Sequence, residues 1–361
     1  MFYAVIMAGG QGTRLWPLSR IKAPKQLHAL ASEKSLVREA HDRLIPMVKT
    51  PRRIYVSTNP LYADRIGKQL PGVPKENYII EPYPMNTAAA CILATAILAQ
   101  KANNPTVFFA YSDPAIKDEA RFQEIILAGK KILDSHPNHI LTVGINPTKP
   151  DTELGYVQFG KEITKDDNGI RAFRVKRFVE KPDLKTAEKY VASFDYLWNS
   201  GMFMWHTDYL LKLANEFMPK TYQAIMKIAQ AWNTPEHETV LAREYAKVEN
   251  TSIDYGIMEK TKDIIVVPGD FGWSDIGSWG TLFELLSEIQ AKPVVSRGHH
   301  ISCDDNNCLV MAGDKLIATV GLEDVVVIDT KDAVLICNRH KAHKVKDLLG
   351  KLKEAGKEEY L

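Results

Sequence analysis

The sequence predicts an α/β fold with a mostly parallel, mixed sheet, followed by a small C-terminal β-rich domain. In the first half of the chain, short apolar runs alternate with helical patterns, which is typical of parallel strands covered by helices on both faces. After about residue 293, short apolar runs are separated only by turn-forming segments, which indicates closely spaced strands. We therefore divide the 361 residues into a domain over 1–290 and a domain over 291–361.

The elements of the first half follow one another regularly. The apolar run from Phe2 to Met7 predicts a buried opening strand. The later predictions are helix 35–48, strand 53–57, helix 61–70, a short strand ending at 80, an alanine-rich helix after 86, strand 106–111, helix 118–133 and strand 140–143. Because ligands of such sheets bind at the carboxyl ends of the strands, residues 9–14 and 112–113 occupy candidate ligand positions.

The remaining segments are less regular. Residues 151–268 mix strands with a helix-rich stretch, and we expect them to close over a second substrate. The apolar runs 309–311, 316–320, 325–328 and 333–337 predict either a meander or a few turns of a β-helix. A charged helix over 340–355 ends the chain, and an interface or capping role is expected for this tail.

Composition limits the classes of function. A formal net charge of +2 gives no argument for nucleic acid or a membrane surface as partner. The four cysteines are too few for a disulfide framework, and those near His299 and His300 fit no common zinc spacing. The longest apolar stretch, 88–99, is too short to cross a bilayer, and no signal peptide is apparent. We expect a cytoplasmic enzyme.

A glycine-rich loop follows the opening strand. Gly9, Gly10 and Gly12 allow backbone N–H groups to curl around an anion. Arg14 adds a fork of donors that suits phosphate oxygens, and Lys25 adds a movable positive charge. The two cations favour a polyphosphate site over a simple turn between a strand and a helix.

Spacing excludes two other phosphate-binding loops. A Walker A loop needs Lys and then Ser or Thr directly after its last glycine, whereas Thr13 and Arg14 follow Gly12 here. A dinucleotide fingerprint that begins at Gly10 needs a glycine or alanine at position 15, where Leu15 stands. A dinucleotide-dependent oxidoreductase is therefore disfavoured.

The segment from Met7 to Gln26 resembles the signature of the sugar-nucleotide pyrophosphorylases, and in particular their mannose-1-phosphate guanylyltransferase branch. Similar patches recur to about residue 285: Glu81-Pro82, Asn86-Thr87-Ala88, Glu180-Lys181-Pro182, Trp198-Asn199-Ser200-Gly201-Met202-Phe203, Ser252-Ile253-Asp254-Tyr255 and Phe271-Gly272-Trp273-Ser274-Asp275-Ile276-Gly277-Ser278-Trp279. The resemblance implies that 1–290 is a Rossmann-like nucleotidyltransferase domain.

The resemblance also implies roles for the matched residues. The nucleotide would be bound by Ala8, Gly9, Gly10, Gly12, Thr13, Arg14, Lys25, Glu81, Asn86, Thr87 and Ser112. The sugar phosphate would be bound by Gly155, Tyr156, Glu180, Lys181 and Asn199. Alternative interpretations remain open for two of these features: Gly155 as an ordinary turn glycine, and Glu180 with Lys181 as a solvated pair at a strand end.

Two aspartates are candidate metal ligands. Asp113 ends an apolar strand, and Asp275 lies in a Gly-Trp-Ser-Asp turn. Either one alone could be a turn or cap residue, but Mg²⁺ prefers one or two carboxylates together with phosphate oxygens. Combined with the loop and the resemblance, the pair predicts a Mg²⁺ site, and Arg14, Lys25, Asp113 and Asp275 are the predicted catalytic residues.

The implied reaction is attack by mannose 1-phosphate on the α-phosphorus of GTP, which gives GDP-mannose and pyrophosphate. The sugar phosphate is already ionised at neutral pH, so no catalytic nucleophile or general base is required. The partners are therefore these four small molecules, with no nucleic acid and no membrane, and a homodimer is left open.

The chain departs from the family's pattern at two places. The first metal aspartate lies in Tyr111-Ser112-Asp113-Pro114 instead of Pro-Ala-Asp-His, and Met85 and Ala89 replace the more usual Arg and Pro. Base selectivity therefore stays open. The alternatives are a pyrophosphorylase for another base or sugar, such as a glucose-1-phosphate thymidylyl- or adenylyltransferase, and a non-catalytic regulator that binds nucleotide sugars.

Overall fold

The computed structural model describes residues 1–165 and 168–361, which form two compact units. The first unit comprises Met1–Gly9, Ala40–Tyr111 and Ile116–Trp273. The second unit comprises Gly10–Glu39, Ser112–Ala115 and Ser274–Leu361. The division of the chain at residue 290 stays a prediction.

The described residues contain strands and helices with the following bounds. The strands are β1 (Phe2–Met7), β2 (Ile54–Thr58), β3 (Tyr78–Ile80), β4 (Thr106–Tyr111), β5 (Ala115–Ile116), β6 (Ile140–Ile145), β7 (Tyr156–Lys165), β8 (Arg171–Val179), β9 (Tyr196–His206), β10 (Ile264–Gly269), β11 (Trp273–Ser274), β12 (Val294–Arg297), β13 (His300–Cys303), β14 (Cys308–Met311), β15 (Ile317–Val320), β16 (Val325–Asp329) and β17 (Val334–Asn338). The helices are α1 (Leu36–Val48), α2 (Pro60–Gln69), α3 (Asn86–Ala99), α4 (Glu119–Asp134), α5 (Leu184–Ser193), α6 (Thr207–Phe217), α7 (Pro219–Ala231), α8 (His237–Tyr245), α9 (Trp279–Gln290) and α10 (Val345–Glu354).

One large sheet organises the first unit, with the strand order β3-β2-β1-β4-β9-β6-β10-β8-β7. Parallel pairs join β1 to β2 and β4, β2 to β3, and β6 to β10. Strand β9 runs antiparallel between β4 and β6, and β7 and β8 add further antiparallel pairs. The predicted α/β fold with a mixed sheet is confirmed, but "mostly parallel" holds only for the two parallel blocks. The predicted elaboration at 151–268 supplies the antiparallel strands of this same sheet.

Helix α3 lies at the centre of the first unit's core. Its residues 88–98 are all buried, and the helix is apolar on every side. A helix without a polar face must be surrounded by other elements, which explains why its sequence is rich in alanine and free of charge. No helix among the described residues has both the length and the apolar character needed to cross a membrane.

The C-terminal strands of the second unit stack in the manner of a β-helix. Strands β12, β14 and β16 pair in parallel, and β13 pairs in parallel with β15. Only β16 and β17 form an antiparallel hairpin among these strands, so the β-helix alternative describes this region better than the meander. Strands β12 and β13 were not predicted, because residues 296–300 carry little apolar signal. The predicted last helix begins as a 3-10 turn, Arg339–Lys344, and continues as α10.

The phosphate-loop segment packs within this second unit. Leu15 and Trp16 belong to a buried cluster that includes residues of α9, β14 and β16. The Trp16 indole donates to the Tyr360 carbonyl at 2.7 Å, and the Trp279 indole donates to the Trp16 carbonyl at 2.8 Å. Residues from the C-terminal region therefore help to position the segment that follows the glycine loop.

Candidate active site

The glycine loop is shaped by its contact with Lys25. Gly12 has a left-handed backbone with φ of +57°, and a Cβ there would lie 2.4 Å from Lys25 Cβ. Both the conformation and the close approach require glycine. Cβ atoms at Gly9 or Gly10 would meet nothing within 4 Å, so the space beside these two residues is open.

Two side chains hold the carbonyl groups of this loop. Gln26 Nε2 donates to the Gly10 carbonyl at 3.0 Å, and Ser19 Oγ donates to the Gln11 carbonyl at 3.2 Å. Both residues are buried. Sequence reasoning did not identify them as loop-positioning residues, although both lie within the motifs that carried the family resemblance. Thr13 and Arg14 lie on the short 3-10 turn Thr13–Leu15 and are partly exposed.

Lys25 brings the predicted catalytic aspartates together. Its side chain is buried, and Nζ lies 3.0 Å from Asp113 Oδ2. The same ammonium donates to the Asp275 carbonyl at 2.7 Å. A buried ammonium requires such partners, because removing an unpaired charge from water costs several kcal/mol. Lys25 therefore contacts the carboxylate of Asp113 and the main chain of Asp275 within the second unit.

The two predicted metal ligands, Asp113 and Asp275, are both partly exposed. The Asp113 side chain is 37% exposed although it contacts buried Lys25. Asp275 is half-buried, and its Oδ2 lies 2.4 Å from where a Cβ on Gly277 would stand, so Gly277 makes room for this carboxylate. Ser112, beside Asp113 in the chain, is buried. Among the described residues no group of three or more His, Cys, Asp or Glu could hold a metal ion.

In the first unit, Glu81 accepts a hydroxyl hydrogen bond at each carboxylate oxygen. Ser57 Oγ donates to Oε1 at 2.8 Å, and the Tyr245 hydroxyl donates to Oε2 at 2.6 Å. Burial raises the pKa of Glu81, and these two hydroxyls act in the opposite direction. Ser57 and Tyr245 were not predicted as site residues, and no sequence pattern links Tyr245 to a residue 164 positions away.

Asn86, Thr87 and Ala8 are further residues of the first unit that were predicted to bind the nucleotide. Asn86 begins α3 with φ of +62° and is exposed, and its Oδ1 accepts from the Thr87 amide at 2.9 Å. Thr87 Oγ1 accepts from the Ile253 amide at 2.9 Å. Ala8 is buried; its amide donates to the Ser57 carbonyl and its carbonyl accepts from Thr58 Oγ1. Both backbone polar groups of Ala8 therefore form hydrogen bonds with residues of β2.

Three of the residues predicted to bind the sugar phosphate meet in the first unit. A Cβ on Gly155 would lie 2.4 Å from Glu180 Oε2 and 3.2 Å from Asn199 Cβ. The missing side chain of Gly155 thus leaves room for the Glu180 carboxylate and for Asn199. Asn199 Nδ2 donates to Asp254 Oδ1 at 3.0 Å, and Asn199 Oδ1 accepts from the Gly201 amide at 3.0 Å.

Glu180 and Asp254 form an acidic pair in this region. Burial, reinforced by the Asp254 carboxylate, raises the pKa of Glu180 to about 7, although Lys181 Nζ at 3.7 Å acts in the opposite direction. Burial also raises the pKa of Asp254. The Glu180 side chain is largely buried, which does not fit the solvated-pair alternative, whereas Lys181 is exposed. Asp254 was overlooked as a site residue although it lies in one of the motifs that carried the resemblance.

Tyr156 follows Gly155 as the first residue of β7, but its side chain differs from the other sugar-phosphate predictions. Its side chain is fully buried, its hydroxyl accepts from the Asp151 amide at 2.9 Å, and its ring packs 5.4 Å from that of Tyr190. In this conformation the Tyr156 side chain is part of the interior. It supports the segment that carries Gly155 and does not line an open site.

Comparisons with known proteins identify the family of this chain. Residues 3–292 match the nucleotidyl transferase family, and residues 298–352 match a beta-helix domain described as MannoseP isomerase/GMP-like. The chain is 36% identical to the xanthan biosynthesis protein XanB of Xanthomonas campestris, over 98% of this chain and 74% of that protein. It is also 36% identical to a mannose-1-phosphate guanylyltransferase of Escherichia coli K12, over 99% of this chain and 75% of the relative.

A solved structure from Thermus thermophilus, described as a mannose-1-phosphate geranyltransferase, has the same fold. It aligns with a TM-score of 0.86 at 29% sequence identity, and covers 98% of this chain and 99% of its own. The match therefore includes both the nucleotidyl transferase region and the β-helix. On the family match and the relatives above 30% identity, this chain belongs to the nucleotidyl transferase family.

Proposed function

We propose that this enzyme transfers GMP from GTP to mannose 1-phosphate and releases GDP-mannose and pyrophosphate. The observation that carries the proposal is the Lys25 ammonium beside the glycine loop, within contact of Asp113 and Asp275. A buried cation paired with the Asp113 carboxylate, and bound to the main chain of a second aspartate, suits a polyphosphate with a divalent metal. The similarity to mannose-1-phosphate guanylyltransferases supports the choice of GTP and mannose 1-phosphate.

The obstacle to this reaction is electrostatic repulsion between the substrates. Each pair of unit negative charges about 4 Å apart costs roughly 4 kcal/mol at an effective dielectric constant of about 20. The second pKa of a phosphate monoester is about 6, so the attacking oxygen is ionised without a general base. The protein therefore has to position two anions and neutralise their charge.

The glycine loop and the second unit supply the charge-neutralising groups. The amides of 9–13 and the Arg14 guanidinium hold the β- and γ-phosphates, and Arg14 stabilises the departing pyrophosphate. Lys25 neutralises charge at the reacting phosphates. Asp113 and Asp275 would hold Mg²⁺, which supplies Lewis-acid stabilisation of phosphoryl oxygens when bound.

The first unit supplies groups that bind the base and the sugar phosphate. Glu81 accepts from the N1–H and N2–H edge of guanine, with Asn86 and Thr87 at the start of the neighbouring helix. Glu180, Asn199 and Lys181 bind the sugar phosphate, with Gly155 leaving room for them. We propose that transfer is carried out by 1–290 and that 291–361 support it. A cytoplasmic location stays a prediction, which the four free thiols favour.

A panel of substrate pairs tests the proposal. Pyrophosphate release is measured for GTP, ATP, UTP and dTTP, each with mannose 1-phosphate or glucose 1-phosphate, with and without Mg²⁺. We expect GTP with mannose 1-phosphate to give the highest kcat/KM and expect turnover to require the metal. Preference for another pair would show a pyrophosphorylase of different specificity, and binding without turnover of any pair would show a regulator.

A further inference from the structure

Both carboxylate oxygens of Glu81 accept hydrogen bonds from hydroxyl groups of the first unit. Tyr245, the last residue of α8, is fully buried, and its hydroxyl donates to Glu81 Oε2 at 2.6 Å. Ser57, on β2, donates to the other oxygen at 2.8 Å. Two separate elements, α8 and β2, therefore each bind one oxygen of the same carboxylate.

This arrangement leaves a defined set of acceptor sites. An ionised carboxylate has about four lone-pair directions, two on each oxygen. With one direction on each oxygen used by a hydroxyl, one remains on each, and the carboxylate is prevented from rotating. A fork of two parallel acceptors matches two adjacent N–H donors, such as N1–H and N2–H of guanine. Adenine does not present this pair, and hypoxanthine presents only N1–H.

The hydroxyls also favour the ionised form of the carboxylate. Burial raises the pKa of Glu81, and hydrogen bonds from Tyr245 and Ser57 oppose this rise. Another titratable group that interacts electrostatically with Glu81 is the buried thiol of Cys91 on α3, whose pKa is itself raised by burial and by the Asp254 and Glu81 carboxylates. A protonated Glu81 would present a donor to the N1–H of guanine, so loss of either hydroxyl should weaken recognition of the base.

We propose that Tyr245 is a positioning residue for base selectivity, which holds Glu81 in the orientation that accepts two N–H groups of a purine. This inference rests on the proposed function, because it takes Glu81 as the group that recognises guanine. Tyr245 acts through Glu81 and does not itself contact the nucleotide. Its effect passes through the orientation and the charge of Glu81.

The test compares Tyr245→Phe with Tyr209→Phe. Both substitutions remove a buried phenol that donates to a carboxylate, since the Tyr209 hydroxyl donates to Asp263 Oδ2 at 2.9 Å. Steady-state kinetics are measured with GTP and with inosine triphosphate, which lacks the 2-amino group, at saturating mannose 1-phosphate. For Tyr245→Phe we expect KM for GTP to rise about tenfold with kcat within about twofold, because a hydrogen bond to a charged group is lost. The preference for GTP over inosine triphosphate should fall, while Tyr209→Phe keeps the parent's preference.

A pH profile and a second variant complete the test. In Tyr245→Phe, the acid limb of kcat/KM for GTP should move to higher pH, because a group that favours the ionised form of Glu81 is gone. Ser57→Ala removes the donor to the other oxygen and should give the same split between KM and kcat. An unchanged nucleotide preference and acid limb in both variants would overturn the inference.

The parent enzyme separates this inference from the proposed function. If the parent does not turn over GTP with mannose 1-phosphate, the proposed function is wrong and the inference falls with it. If the parent prefers GTP over inosine triphosphate and Tyr245→Phe keeps the same ratio, only the positioning role of Tyr245 is wrong.

Discussion

The two units hold the charged residues of the candidate site in different ways. In the second unit, the Lys25 ammonium lies 3.0 Å from the Asp113 carboxylate, so opposite charges balance one another directly. In the first unit, Glu81 is held by two hydroxyls and Asp254 by the Asn199 amide. The pKa values of Glu81, Glu180 and Asp254 are all raised, with burial as the largest cause.

The difference corresponds to the chemistry proposed for each unit. A polyphosphate and a metal ion carry full charges, and fixed charges of both signs are needed to hold them. A base edge and sugar hydroxyls are uncharged donors, and carboxylates held by neutral groups suit them. Substitutions in the second unit should therefore act mainly on turnover, whereas those in the first unit should act on selectivity and on the pH dependence of stability.

The largest effect is expected for Asp275→Asn in the second unit. A neutral amide is a poor ligand for Mg²⁺, so turnover should fall by about a hundredfold to a thousandfold while the fold is kept. Pyrophosphate release is measured across a Mg²⁺ titration. Asp332→Asn is the matched control, because that carboxylate pairs with Arg20 at 2.8 Å in the same unit, away from the loop glycines in the chain. Near-parental turnover of Asp275→Asn at saturating Mg²⁺ would remove Asp275 from the metal site.

The next effect separates Lys25 from Arg14. Lys25→Ala should lower kcat more than it weakens GTP binding, because its charge acts at the reacting phosphates. Arg14→Ala should mainly impair use of the triphosphate, because its guanidinium holds the β- and γ-phosphates. Each loss is expected to cost about 2–4 kcal/mol in the transition state, roughly thirtyfold to a thousandfold.

Steady-state kinetics together with calorimetric GTP binding distinguish these two outcomes. Lys22→Ala is the control for charge removal, since Lys22 is an exposed cation three residues from Lys25. Because Lys25 is buried against Asp113, thermal unfolding of Lys25→Ala is followed alongside to separate lost stability from lost catalysis. Normal GTP binding and turnover within a few-fold of the parent in both variants would contradict the assignment of this loop to phosphate.

The smallest effect is expected for Glu180→Gln in the first unit, in the pH dependence of stability. The pKa of Glu180 is about 7 in the folded protein against an ordinary value of 4.5, so the folded state binds this proton more tightly than the unfolded state. The free energy of unfolding should therefore fall as the pH rises from about 4.5 to 7, by on the order of 1–3 kcal/mol from this group. Glu180→Gln should flatten that slope in urea titrations, whereas Glu188→Gln at an exposed position should leave it unchanged. An equal slope in parent and Glu180→Gln would contradict the raised pKa.

Most elements of the first half were predictable from local patterns. The predicted strands 2–7 and 106–111 coincide with β1 and β4, and the predicted helices differ from α1, α2 and α4 by a residue or so at their ends. These elements are recognisable because their apolar residues recur with the strand or helix period within a short window. The antiparallel insertion of β9 between β4 and β6 was not predictable, because strand order depends on contacts between distant segments.

The candidate site, like the fold, was predictable from the sequence only in part. The sequence by itself determined the glycine loop with its two cations, the aspartate that ends a strand and the aspartate in a turn, because backbone freedom and charge are properties of adjacent residues. Only the tertiary structure decided which groups meet: Lys25 with Asp113, Asn199 with Asp254, and Tyr245 with Glu81. It also changed the explanation of Gly155, whose missing side chain makes room for Glu180 and Asn199. Such pairs join residues tens to hundreds of positions apart, and their proximity follows from the packing of whole strands and helices, which no local pattern encodes.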